Sequence, residues 1–223
     1  MITETPSRHT TSLQGAAGRI AMLVDRPAAT PVGVALIGHP QPILGGSPLH
    51  PVPHAIARSI SEAGWVAVRP SFRGVGQSEG CYNQGIGEAE DTAVVAQAMR
   101  RSFPGIPLAL VGFSFGAYVH ARAAVAMQDA EPADAVVLLG LPIGVAAGDR
   151  DYPAMNLPRD SLLIHGGVDE VAPVDRVIAW ATTTHHPVVL FPGANHFFKG
   201  CLDQVVQTVR DRLELVARRR LPA

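Results

Sequence analysis

The sequence predicts an α/β fold, a mostly parallel central sheet flanked by helices on both faces. Short apolar runs alternate with helix-favouring segments through most of the chain, the pattern of strand–helix–strand units. Several of these runs, Val32–Gly38 and Leu108–Val111 among them, are apolar throughout, as strands covered on both faces are. No repeat or linker divides the 223 residues, so 18–223 read as a single domain behind a polar, loosely ordered segment, 1–17.

Taken in order, Arg19–Asp25 has Ile20, Met22 and Val24 alternating and reads as a half-buried edge strand. Val32–Gly38 is a buried strand. A loop rich in Gly and Pro, His39–Pro53, leads into a helix from about His54 to Ala63, which Gly64 ends, and Trp65–Arg69 is the next strand. The alternation continues with helix 88–101, strand 107–112, helix 116–128 and strand 135–140. Strand 161–165, helix 174–181, strand 187–191 and a helix over 198–219 complete it. Arg218, Arg219 and Arg220 suit the negative end of that last helix. The connection Leu141–Asp160, rich in Gly, Pro and Asp, is too short for a folded lid. No cap domain and an open site are therefore expected.

Composition narrows the function classes. An apolar fraction of 47% supports a large core, while 17% charged residues and a net charge of −1 argue against a nucleic-acid footprint or a polybasic membrane surface. No apolar run approaches bilayer length, and Met1–Gln14 lacks the basic-then-apolar order of a secretory leader. A cytoplasmic protein is the default expectation. Two cysteines, Cys81 and Cys201, make neither a disulfide scaffold nor a spaced metal site. No metal and no cofactor are expected.

The chemistry centres on Gly112-Phe113-Ser114-Phe115-Gly116, between a strand and a helix. A side chain projecting above a sheet edge needs a sharp bend there, and glycine on both flanks removes the Cβ atoms that would clash. Ser114 is then a candidate nucleophile, with the Phe115 N–H at the helix start, where amides lack intrahelical partners. A serine hydroxyl needs a base, and the base an orienting acid. Both should follow later strands, since sites in open α/β sheets form at the carboxyl ends of strands. His196, after strand 187–191, is the best base; His185 and His186 precede a strand, and His165 reads as a packed histidine. Asp169 is the favoured acid, with Glu170, Asp149 and Asp151 as rivals.

An oxyanion hole needs a second backbone donor from the loop after strand 32–38. Prolines have no N–H, so Gln41, between Pro40 and Pro42, is the one donor there. Gly45, Gly46 and Ser47 should shape the mouth of the site, with Phe197 lining it. Arg73-Gly74-Val75-Gly76 lacks the third glycine and following helix of a dinucleotide site, so Arg73 reads as an anchor for backbone or a carboxylate. Glu88, Glu90 and Asp91 begin a helix and need no metal to explain them.

Together G-H-P-Q-P, R-P-S-F-R-G-V-G-Q-S-E-G, G-F-S-F-G-A, H-G-G-V-D-E-V-A-P and P-G-A-N-H-F-F resemble the α/β-hydrolase superfamily. More narrowly, they resemble its small lidless bacterial carboxylesterase-like and dienelactone-hydrolase-like members. The resemblance implies Ser114 as nucleophile, His196 as base, Asp169 as acid, and the Gln41 and Phe115 amides as oxyanion hole. Members of this group often carry His where Gln41 stands and Asp where Asn195 stands. Serine in place of the cysteine of true dienelactone hydrolases counts against that substrate. The expected activity is hydrolysis of small or medium acyl esters through an acyl-enzyme. Thioester hydrolysis, acyl transfer, and a non-catalytic ligand-binding role are the alternatives. The expected partner is a small-molecule ester or thioester, not a nucleic acid or a membrane, and a homodimer is left open.

Overall fold

The computed structural model describes residues 7–146, 148 and 150–220. Its strands are β1 (Ser7–Gly15), β2 (Gly18–Arg26), β3 (Gly33–Gly38), β4 (Trp65–Pro70), β5 (Leu108–Phe113), β6 (Ala135–Leu139), β7 (Gly144–Ala146), β8 (Arg150–Tyr152), β9 (Leu162–Gly166) and β10 (Val188–Phe191). The helices are α1 (Pro51–Glu62), α2 (Ile86–Ser102), α3 (Phe115–Met127), α4 (Val174–Thr184) and α5 (Leu202–Arg220). Eight strands form one sheet in the order β1-β2-β4-β3-β5-β6-β9-β10. Only β1–β2 and β2–β4 pair antiparallel; every other neighbouring pair is parallel. The mostly parallel α/β architecture matches the expectation.

Alternation along each buried strand divides the core into two layers. Leu36, Val68, Leu110 and Leu138 face α2 and α3, through residues such as Val95, Ala96, Val119 and Ala123. Ile37, Ala67, Val111 and Leu139 face α1 and α5, through Ile56, Ile60, Val205, Val209 and Leu213. Each fully buried leucine or isoleucine contributes about 1.5–3 kcal/mol from its removal from water. Both faces of β3 and β5 are covered, which is why their sequences are apolar without a break.

The structure departs from the sequence expectation in four places. Ser7–Gly15, expected as part of a loose segment, is an edge strand paired residue by residue with β2, so β2 is not itself the edge. The side chains of β1 are nearly all exposed; the strand is held by its backbone ladder and leaves no apolar alternation to read. Residues 1–6 lie outside the described residues. Helix α1 begins at Pro51, with His50 as its cap accepting from the Val52 N–H at 3.4 Å; proline's fixed φ suits a first turn. Helix α5 begins at Leu202, because Phe198 turns into the left-handed region at φ +54°. Finally, the 141–160 connection contains the β7–β8 hairpin.

Candidate active site

Ser114 occupies the bend between β5 and α3 with φ +57° and ψ −124°, a conformation that costs a non-glycine residue on the order of 1–3 kcal/mol. The surroundings enforce it. The Ser114 N–H donates to the Leu139 carbonyl at 2.8 Å, and the Ala117 N–H to the Ser114 carbonyl at 2.9 Å. A Cβ on Gly112 would lie 2.4 Å from the Gly116 carbonyl oxygen, and one on Gly116 would lie 2.4 Å from the Gly38 carbonyl carbon. Glycine on both flanks is thus what lets α3 start against the end of β3.

His196 follows β10 on a turn capped by Asn195, whose Oδ1 accepts from the Phe197 and Lys199 N–H groups at 3.1 Å each. This gives Asn195 a structural role that the sequence left without explanation. The His196 ring packs between Phe113 and Phe197, both with centroids 5.2 Å away. Its Nε2 accepts from the Ser114 hydroxyl at 2.8 Å, and its Nδ1–H donates to Asp169 Oδ2 at 2.7 Å. Asp169 sits after β9, with its Oδ1 accepting from the Val171 and Ala172 N–H groups at 2.9 and 2.8 Å. Burial would raise its pKa, but hydrogen bonds from His165, His196 and the Ala172 amide overcome burial and hold the carboxyl well below the usual range. Glu170 and Asp151 are exposed; Asp149 lies outside the described residues.

The N–H groups of Gln41 and Phe115 make no hydrogen bond among the described residues. The Gln41 carbonyl, by contrast, accepts from Leu44 and Gly46, and its side-chain amide donates to the Tyr82 hydroxyl at 3.0 Å. A cavity of about 250 Å³ opens onto Ser114 and His196, and Gln41, Gly45, Gly46 and Phe197 line it. Ser47 does not. It lines the neighbouring cavity of about 370 Å³ with Pro48 and Leu49, because the chain turns at Ser47 to enter α1, its carbonyl accepting from the His50 N–H. The open mouth is bounded on the far side by the β7–β8 hairpin, through Ala146, Arg150 and Tyr152.

No family model matches the chain. Among solved structures, a serine hydrolase without a lid from Xanthomonas campestris is 33% identical, covering 99% of this chain and 98% of its own, with a TM-score of 0.79. The chain belongs to the α/β-hydrolase superfamily, in its small lidless type. An α/β serine hydrolase homologue from Coxiella burnetii is 31% identical, over 92% of this chain and 97% of that one, with a TM-score of 0.78. An uncharacterised protein of Rickettsia prowazekii is 30% identical over 106 residues, so the chain spans only 44% of the length of that curated relative.

Two further histidines support the hydrolase's site, and the sequence reading gave neither of them that part. His165 is fully buried, and its Nε2–H donates to the Ala172 carbonyl at 2.8 Å while lying 3.3 Å from Asp169 Oδ2. It therefore helps aim the carboxylate. His39, also fully buried, donates from Nδ1 to the Pro40 carbonyl at 2.8 Å and accepts at Nε2 from the Phe72 N–H at 3.0 Å. That pair of bonds fixes a neutral tautomer and pins the residue before Gln41. The available signal was position alone, each histidine directly following or ending a buried strand.

Burial lowers the pKa of His39 to about 4 and that of His120, on α3 against Gly38, to about 3. Both stay neutral in the folded protein, whereas the unfolded chain takes up protons below about pH 6.5. The unfolded state thus binds more protons as pH falls from 6.5 towards 4, and stability drops over that window. At pH 5 the loss is about 2 kcal/mol per histidine. Urea unfolding at pH 7.5 and 5 should show it, and a His120→Leu protein that keeps its fold should lose less on acidification.

Proposed function

We propose that this hydrolase is a serine carboxylesterase acting on small or medium acyl esters. The observation that carries the reading is the hydrogen-bonded chain from the Ser114 hydroxyl through His196 to Asp169, at 2.8 and 2.7 Å, at the mouth of the cavity. Ser114 Oγ attacks the ester carbonyl while His196 Nε2 takes its proton. Asp169 holds the proton-bearing Nδ1 towards itself and stabilises the imidazolium. The tetrahedral oxyanion is received by the unengaged N–H groups of Gln41 and Phe115, the second at the positive end of α3. His196 then protonates the departing alcohol, and water, activated by the same imidazole, releases the acyl group from Ser114.

The size of the cavity supports the substrate range. About 250 Å³ lies below the roughly 300–1,000 Å³ of sites for drug-sized ligands, and among the described residues no cap domain extends it. No helix among the described residues is long and apolar enough to cross a membrane. Cys81 and Cys201 are free thiols, which suits the reducing cytoplasm. The test is a panel of p-nitrophenyl esters from acetate to palmitate, with the matching acyl thioesters alongside. We expect kcat/KM to peak at short or medium acyl oxygen esters. A peak at palmitate would overturn the small-substrate reading, and turnover of thioesters alone would move the enzyme to a thioesterase.

A further inference from the structure

One side chain in the cavity has no part in hydrolysing a plain ester. Of the described residues lining it, Arg150 alone carries a fixed charge. It comes from β8, where alternation turns Arg150 and Tyr152 inward and leaves Asp151 exposed. Two other sheltered arginines do meet carboxylates, Arg69 with Asp25 at 2.6 Å and Arg73 with Asp91 at 2.8 Å, whereas neither of them lines this cavity. Arg150 makes no ion pair among the described residues; its side chain bonds the neighbouring Tyr152 hydroxyl, and its Nε is buried without a hydrogen-bond partner. A guanidinium does not lose its proton to relieve this. Elsewhere on the cavity wall Leu44, Pro142, Val171 and Phe197 are apolar, and a low-dielectric wall strengthens the attraction of a guanidinium for an anion. Two titratable groups line it besides His196: His50 is pushed towards its neutral form by burial and then by the nearby His196, and burial raises the Tyr152 phenol while Arg150 draws it down.

Arg150 makes no hydrogen bond to Ser114 or His196, whose bonds are to each other and to Asp169. Its guanidinium instead lies beside Gly148 in the hairpin turn, where an added Cβ would come 3.7 Å from Nη1. It therefore takes no part in the Ser114–His196–Asp169 chain of hydrogen bonds. We propose that the hydrolase takes esters bearing a carboxylate remote from the scissile bond, with Arg150 as the group that recognises it. The proposal rests on the esterase reading. Water cleaves the acyl–oxygen bond, giving a carboxylate, an alcohol and one proton, with the remote carboxylate kept on whichever product carried it, and no further reactant is required.

The experiment compares matched ester pairs. 4-Nitrophenyl hydrogen adipate against 4-nitrophenyl hexanoate places the charge on the acyl side; 3-acetoxybenzoate against phenyl acetate places it on the alcohol side. Wild type should favour the charged member of one pair at least tenfold in kcat/KM. Arg150→Gln should lower that ratio by about ten- to a hundredfold, as loss of a charge-assisted bond does, with Arg150→Lys in between. In parallel, calorimetry of adipate binding to the Ser114→Ala protein should weaken at least tenfold when Arg150→Gln is added. Hydrolysis without charge preference in either pair, or an Arg150→Gln loss shared equally by charged and neutral esters, overturns the proposal and leaves the esterase standing. Adipate binding that depends on Arg150 in a protein inactive on all four esters supports the anion site and removes the esterase reading. Adipate binding indifferent to Arg150 overturns the proposal whatever the kinetics.

Discussion

Ser114→Ala and His196→Ala proteins should hydrolyse p-nitrophenyl butyrate at least about 10³-fold more slowly than wild type, with folding unchanged. The geometry explains the size of the loss. On the proposed mechanism no acyl-enzyme would form without Ser114, and without His196 the hydroxyl would keep its proton and the leaving alcohol would receive none. The two side chains act as one unit, joined at 2.8 Å, so the double variant should be no slower than the worse single one. Asp169→Asn should also fall by orders of magnitude. An amide nitrogen facing Nδ1 favours the wrong tautomer, and the imidazolium loses its counter-charge. Residual activity above solvent is expected to survive in all three, from the Gln41 and Phe115 amides. Progress curves under substrate saturation measure all of this directly.

The second large effect is on stability, at Asp25. Arg69 on β4 is completely buried, and its guanidinium donates to Asp25 at 2.6 Å and to the Pro48 carbonyl at 2.8 Å. Asp25 on β2 is buried too, and it also accepts from Arg8 on β1 at 2.5 Å. Asp25→Ala would leave a charged guanidinium in the interior with no carboxylate, a change that costs about 3–5 kcal/mol. Arg8→Ala, by contrast, removes a partner whose side chain is 43% exposed, and about 1 kcal/mol or less is expected. Denaturant titration of the two variants separates them. Because Arg69 also holds Pro48, next to the Gly45–Gly46 rim of the cavity, the Asp25 variant should lose activity at temperatures where wild type is stable.

What was legible in the sequence follows from what each segment buries. Strands β3 to β6 sit under helices on both faces, and that burial writes an unbroken apolar run. The bend at Ser114 needs glycine on both sides for lack of space, so Gly112 and Gly116 announced it. The unengaged Gln41 N–H was legible because the prolines on either side of it have none. β1 was not, since a strand held by its backbone ladder with its side chains in water asks almost nothing of composition. The β7–β8 hairpin has three-residue strands inside a stretch rich in Gly, Pro and Asp, so Arg150 and Tyr152 were read as loop. Ser47 was assigned to the mouth by sequence proximity to Gly46, and the turn into α1 carries it to the other side of the rim. His39 and His165 act through hydrogen bonds to carbonyls and a carboxylate, contacts that only the folded chain assembles.

The central claim is that Ser114 is a nucleophile activated by His196. It is tested most directly by incubating the protein with a fluorophosphonate and locating the adduct by peptide mass spectrometry. The expected result is stoichiometric modification of Ser114 in wild type, none in Ser114→Ala, and labelling slowed by orders of magnitude in His196→Ala. An unmodified Ser114 in correctly folded wild-type protein, or labelling at the same rate without His196, would contradict it.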